Sequence, residues 1–82
     1  MGQRVGGHIK VFSKPDCPYC EAAKRLLDSK DLTYEEFVIG TDVQREEFMD
    51  RFPNVRTVPF ILIGNRKIGG YDKLVELLGD ET

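Results

Sequence analysis

No run of apolar residues in this chain approaches the roughly 20 needed to span a bilayer; FILI, at 60–63, is a short one. Charge of one sign is also lacking. Twelve Lys and Arg face fourteen Asp and Glu, a formal net charge of −2, which offers no electrostatic footprint for nucleic acid or an anionic membrane. Low-complexity runs, internal repeats and linkers are absent, and 82 residues leave no room for a second domain. The N-terminal MGQRVGGH holds no apolar stretch and so is not a secretory signal. Residues 1–7 are expected to form a flexible leader and residues 8–82 a single domain. Cysteine and histidine are scarce, at two and one. A four-ligand zinc site within the chain is therefore very hard to assemble, the more so because the one histidine, His8, adjoins the leader. The expected compartment is the cytoplasm, where thiols are kept reduced and a disulfide is more often transient than structural.

What is present is a regular alternation of short elements. HIKVFS (8–13) alternates Ile9 and Val11 with Lys10 and stops at Ser-Lys-Pro, a strand ended by a turn. From Pro18 to about Ser29, Ala22, Ala23, Leu26 and Leu27 recur at helical spacing opposite Lys24, Arg25 and Asp28. LTYEEFVI (32–39) is rich in β-formers. Asp42 is placed as the N-cap of a helix through VQREEFMDRF, with Phe48 and Phe52 one turn apart. FILI fits a buried strand, GNRK a tight turn with Gly64 and Asn65 able to take positive φ, and KIG a short partner strand. Tyr71, Leu74, Val75 and Leu78 follow i, i+3, i+4, i+7, an amphipathic closing helix. The order is β-α-β-α-β-β-α, with the first two strands parallel and the last two a hairpin.

Both cysteines lie in CPYC, three positions apart. Pro18 suits the first helical position, because its missing N–H is one the helix could not satisfy. Cys17 then falls at the N-cap, where its sulfur can accept from the free N–H groups of Tyr19 and Cys20 at the positive end of the helix dipole. Both effects favour thiolate over thiol. Cys20, one turn further in, is expected to be more buried and less activated. Residues three apart on a helix are near enough to close a disulfide. As a structural staple such a short loop removes little unfolded-state entropy. The asymmetry points instead to thiol–disulfide exchange: Cys17 attacks, and Cys20 or an outside thiol resolves the mixed disulfide.

CPYC, TVPFILI and GGYDKL, in this order and with this element pattern, resemble a dithiol glutaredoxin over roughly residues 8 to 79. The resemblance implies a thioredoxin-like fold, a four-stranded mixed sheet with helices on both faces. It also implies a glutathione-dependent thiol–disulfide oxidoreductase that reduces glutathione mixed disulfides and protein disulfides. Cys17 would be the nucleophile and Cys20 the resolving thiol. Thr57-Val58-Pro59 resembles the loop that ends in a cis-proline, with the Val58 backbone offered to the cysteinyl part of glutathione as a short β-bridge. Gly70, Tyr71 and Asp72 would hold the γ-glutamyl end: N–H groups for its carboxylate, the Asp72 side chain for its ammonium. Lys14 matches the lysine that meets the glycyl carboxylate. Arg45 resembles a second such cation, although FPNV is one residue longer than the usual turn, and a one-residue slip rotates a helical side chain by about 100°. Arg51 and Arg56 are therefore candidates for the same role. Tyr19 would wall the groove as an amphipathic ring.

Glutathione is implied as co-substrate, with no tightly bound cofactor and no bound metal. The implied partners are glutathionylated or disulfide-containing proteins, ribonucleotide reductase among them, with a monomeric protein and neither nucleic acid nor membrane. A relative recharged by thioredoxin reductase would lack the glutathione anchors, and Lys14, TVP and the Gly-Gly-Tyr-Asp turn argue against it. An iron–sulfur cluster shared by two chains through Cys17 is a different class of function, and Pro18 and Tyr19 weigh against it. A redox-inert scaffold would require that both thiols could be alkylated without loss of function.

Overall fold

The alternation in IKVFS sorts side chains onto two faces, because successive residues of a strand point to opposite sides. In a computed structural model, which describes residues 8–79, these residues form strand β1 (Ile9–Ser13). Helix α1 (Pro18–Ser29), strand β2 (Glu35–Val38), helix α2 (Arg45–Arg51), strands β3 (Phe60–Ile63) and β4 (Arg66–Gly69) and helix α3 (Tyr71–Leu78) follow. The expected leader, 1–7, lies outside the described residues. The sheet runs β2-β1-β3-β4, with β1 parallel to β2 and antiparallel to β3, and β3 and β4 forming the expected hairpin. The fold is thus the four-stranded mixed sheet with three helices that the element order implied. Among the described residues no helix is long and apolar enough to cross a membrane.

The two faces carry different side chains. Ile9 and Val11 of β1 join Ile61 and Ile63 of β3 under α1 and α3, where Ala23, Leu26, Leu27, Leu74 and Leu78 complete an aliphatic cluster. Phe12 and Phe60 point the other way and meet Phe48 of α2. Rings there lie 5.1 Å apart for Phe12–Phe48 and 5.0 Å for Phe52–Phe60, within the range where aromatic pairs attract. Helix α2 has only seven residues and one buried side chain, Phe48. Seven residues are too few to hold a helix by propensity, so this ring fastens the element.

Three local readings change. The second strand covers four residues rather than eight, because Leu32 and Tyr34 leave the sheet to pack against the aliphatic cluster. Asp42 does not cap α2; Gln44 holds that position without a side-chain bond. The Asp42 carboxylate instead accepts from the Val38 N–H at 2.9 Å, closing the turn after β2. In the turn between β3 and β4, Gly64 takes positive φ (62°) and Asn65 does not.

One polar group sits on the aliphatic face. Glu36 of β2 accepts from the hydroxyl of Ser13 at 2.7 Å and pairs with Lys24 of α1 at 2.9 Å. The Ser13 bond, and after it Lys24, holds the Glu36 carboxyl below its usual 4.5. A depressed carboxylate contributes stability that is present above its unfolded value and is lost as pH falls through the folded one. Glu36→Gln should therefore be less stable than the parent above about pH 4.5, with the gap closing on acidification, as read by urea unfolding across pH. Phe48→Ala should cost about 3–5 kcal/mol in the same measurement, as deletion of a buried aromatic ring does.

Candidate active site

The turn Lys14-Pro15-Asp16 carries the chain out of β1 and into α1, with Asp16 in the left-handed region (φ 56°) that aspartate tolerates better than most residues. Helix α1 then begins at Pro18 with Cys17 as its N-cap. The Cys20 N–H donates to the Cys17 sulfur at 3.3 Å. Of the two donors expected from the spacing, only this one engages the sulfur; Tyr19 N–H does not. The Cys17 thiol also points at the Val58 carbonyl, 4.0 Å away. Both thiols are free and both are buried, Cys20 almost completely, at 1% exposure. Burial pushes the Cys20 thiol up to about 12, and its contact with Cys17 adds to the effect. The inner cysteine is thus held as the neutral thiol, as its depth in the helix suggested.

Cys17 lies in the wall of an open groove of about 940 Å³. Lys14, Arg45, Arg56, Thr57 and Val58 line the same groove, and Ile39, Phe48, Met49 and Val55 give it an apolar side. Three of the cations considered from the sequence therefore converge here, and Arg51, at the end of α2, does not. The Val58–Pro59 peptide is cis.

At the other end, Gly69 takes φ 119°, and a Cβ there would come within 2.9 Å of the Lys73 side chain. Glycine is needed at Gly69 more than at Gly70, where a Cβ would meet the Pro59 carbonyl at 3.6 Å, an ordinary contact. That closeness places the start of α3 beside the Pro59 loop. Gly70 caps α3 without a side-chain bond, so the N–H groups of Tyr71 and Asp72 lack intrahelical acceptors. Tyr19 is 64% exposed, and its ring lies 6.0 Å from that of Tyr71; it does not pack into the core.

The groove includes residues that the sequence reading passed over. Asp16 puts one carboxylate among the cations, and Met49, 52% exposed, stands one helical turn from Arg45. The i, i+4 relation of Arg45 and Met49 was legible; the inward turn of α2 toward Cys17 was not. Among the described residues no group of three or more metal-ligating side chains occurs.

A glutaredoxin family model matches residues 9–68. The chain belongs to the glutaredoxin family. It is 41% identical over 79 residues to glutaredoxin 1 of Rickettsia conorii, covering 94% of this chain and 78% of the relative. The solved structure of glutaredoxin 1 from Francisella tularensis superposes with a TM-score of 0.73 at 27% identity, covering 89% of this chain and 98% of that one. A buckwheat glutaredoxin–glutathione complex does so at 0.68 and 28%, covering 92% and 79%. As a glutaredoxin the protein is a thiol–disulfide oxidoreductase, and Cys17 and Cys20 are its C-x-x-C pair.

The difference in burial gives a direct expectation. Iodoacetamide at mildly alkaline pH should modify Cys17 well before Cys20, as mapped by mass spectrometry of the digested protein. Equal or faster labelling of Cys20 would contradict its placement.

Proposed function

We propose that this glutaredoxin reduces glutathione mixed disulfides and protein disulfides with electrons from glutathione, by attack of Cys17 and resolution by Cys20 or a second glutathione. The observation that carries the reading is the position of Cys17, which caps a helix at the edge of a groove that also presents Lys14 and the Val58 backbone.

In the first step the Cys17 thiolate forms a bond to the glutathionyl sulfur of a mixed disulfide. The old S–S bond breaks, and the target protein leaves as a thiolate that takes a proton from water. A second glutathione thiolate then attacks the sulfur bound to Cys17, releasing oxidised glutathione and restoring the Cys17 thiolate. On a protein disulfide, Cys17 forms the mixed disulfide with the protein. Cys20 resolves it, leaving the Cys17–Cys20 disulfide for two glutathiones to reduce.

The glutathione seat in this reading has three parts. The Val58 N–H and C=O pair with the cysteinyl backbone, flanked by Thr57 and Pro59. The N–H groups of Tyr71 and Asp72 take the γ-glutamyl carboxylate, as helix N-termini hold anions, and Gly70 leaves room for the approach. The Asp72 side chain faces the ammonium. Lys14 and Arg45 meet the glycyl carboxylate, with Arg56 in reach of the same groove wall. Tyr19 closes the side nearest Tyr71. The partners that follow are glutathione and glutathionylated or disulfide-containing proteins.

Two experiments test this. Cys17→Ser should abolish all turnover, whereas Cys20→Ser should keep the removal of glutathione from a small mixed disulfide and lose reduction of protein disulfides. A Cys20→Ser enzyme as inactive as Cys17→Ser on the small substrate would remove the assigned asymmetry. In a coupled assay, NADPH oxidation should require glutathione with glutathione reductase. Turnover driven by thioredoxin reductase alone would overturn the seat while leaving the cysteine chemistry.

A further inference from the structure

The face of α1 that carries Cys20 continues, one turn on, to Lys24, since residues four apart on a helix are neighbours. Lysine is rarely buried, yet the Lys24 side chain is only 19% exposed. Its ammonium is held by Glu36 at 2.9 Å and Glu21 at 3.1 Å. Ser13, 1% exposed, donates to the same Glu36 oxygen at 2.7 Å and so fixes the carboxylate that fixes Lys24. Ser13 is also the last residue of β1, next to Lys14, whose backbone reaches the Cys20 sulfur from the opposite side. Beyond its share in stability, the group stands one helical turn from Cys20. Its placement has another consequence.

We infer that Lys24, fastened by Glu36 and Ser13, is a positioning residue for the resolving thiol, its ammonium favouring the negative charge that Cys20 carries as it attacks Cys17. This rests on the reading of Cys20 as the resolving group. In that step the Cys20 thiol gives its proton to water, and its sulfur bonds to Cys17. The bond from Cys17 to the substrate sulfur breaks, and the substrate leaves as a thiolate that is protonated in solution. Cys17 and Cys20 end as a disulfide and the substrate sulfur is reduced.

Burial opposes the charged form of Cys20, so any compensating charge in reach sets how much thiolate exists. The groups facing Cys20 are Cys17 at the helix start, Lys24 on its own helix and the Lys14 backbone from the β1 side. Helix α3 brings the aliphatic Leu74 and Leu78 to the shared core and turns Tyr71 toward Tyr19. Facing Lys24 are Glu21 on its own helix, Glu36 from β2 and the Tyr34 phenol, with Asp28 beside that phenol. Among these, Lys24 is the cationic side chain that acts on Cys20.

The test isolates the resolving step. Cys17 is first joined to a chromophoric aromatic thiol. Release of that thiol without glutathione then reports the attack by Cys20, followed from about pH 6 to 10. Cys20 stays mostly the thiol throughout this range, and Lys24→Met should lower its thiolate fraction about tenfold, the low end of what one nearby charge does. Tenfold less thiolate, offset by the greater nucleophilicity of a more basic sulfur, makes release about threefold slower at neutral pH. Lys24→Arg should restore the parent rate, and Glu36→Gln, which removes the group that fastens the ammonium, should slow release in the same direction as Lys24→Met. In a Cys20→Ser background, release driven by added glutathione should not respond to Lys24→Met. A Lys24→Met rate equal to the parent's across this range, or a slowing that Lys24→Arg does not reverse, overturns the role of Lys24. Release from Cys20→Ser without glutathione as fast as from the parent would instead overturn Cys20 as the resolving group.

Discussion

A helix begins with backbone N–H groups that have no acceptor within it, and the starts of α1 and α3 in this protein answer that deficit differently. At the start of α1 the donor is the Cys20 N–H and the acceptor is the Cys17 sulfur. At the start of α3 the cap is Gly70, which offers no side chain to the donors of Tyr71 and Asp72. One helix start is capped by a sulfur, and the other has no side-chain cap. The contact of Gly70 with the Pro59 carbonyl sets the second end beside the loop that meets the first. Moving either helix start by a residue would misplace a donor that nothing else in the fold replaces.

The sheet divides the electrostatic surroundings of the two thiols. Cys17 opens onto the side where α2 covers an aromatic cluster and three cations share one groove. Cys20 turns inward, toward the aliphatic layer under α1, where the Ser13–Glu36–Lys24 group is the polar exception. Three residues of separation along one helix thus place one sulfur in the wall of an open, basic groove and the other in the interior. The difference in burial follows from that geometry.

Much of this was legible in the sequence because it depends on period and spacing. Helix α1 runs from Pro18 to Ser29 as the apolar positions and the proline required, and FILI is the strand its short apolar run suggested. The pairing of strands followed from a crossover helix and a tight turn. What was not legible depended on where a side chain finds its partner. Asp42 is an equally good acceptor for a helix or for a turn, and the N–H of Val38, the last residue of β2, won. Arg45, Arg51 and Arg56 looked alike in the sequence. The direction in which α2 packs on Phe12 and Phe60 brings two of them to the groove and leaves the third outside. The Lys24–Glu36 pair joins residues twelve apart across a helix–strand packing, and no local pattern announces it.

The packing of α1 against the last third of the chain has a meaning for how the protein is made. Twelve residues are a marginal helix on their own in water. Those of α1 are buttressed by Ile61 and Ile63 of β3 and by Leu74 and Leu78 of α3, all made after it. Until those residues dock, Cys17 caps a helix that does not hold, and the thiol on a growing chain differs little from any other cysteine. The helix that positions Cys17 is therefore completed only with the last third of the fold.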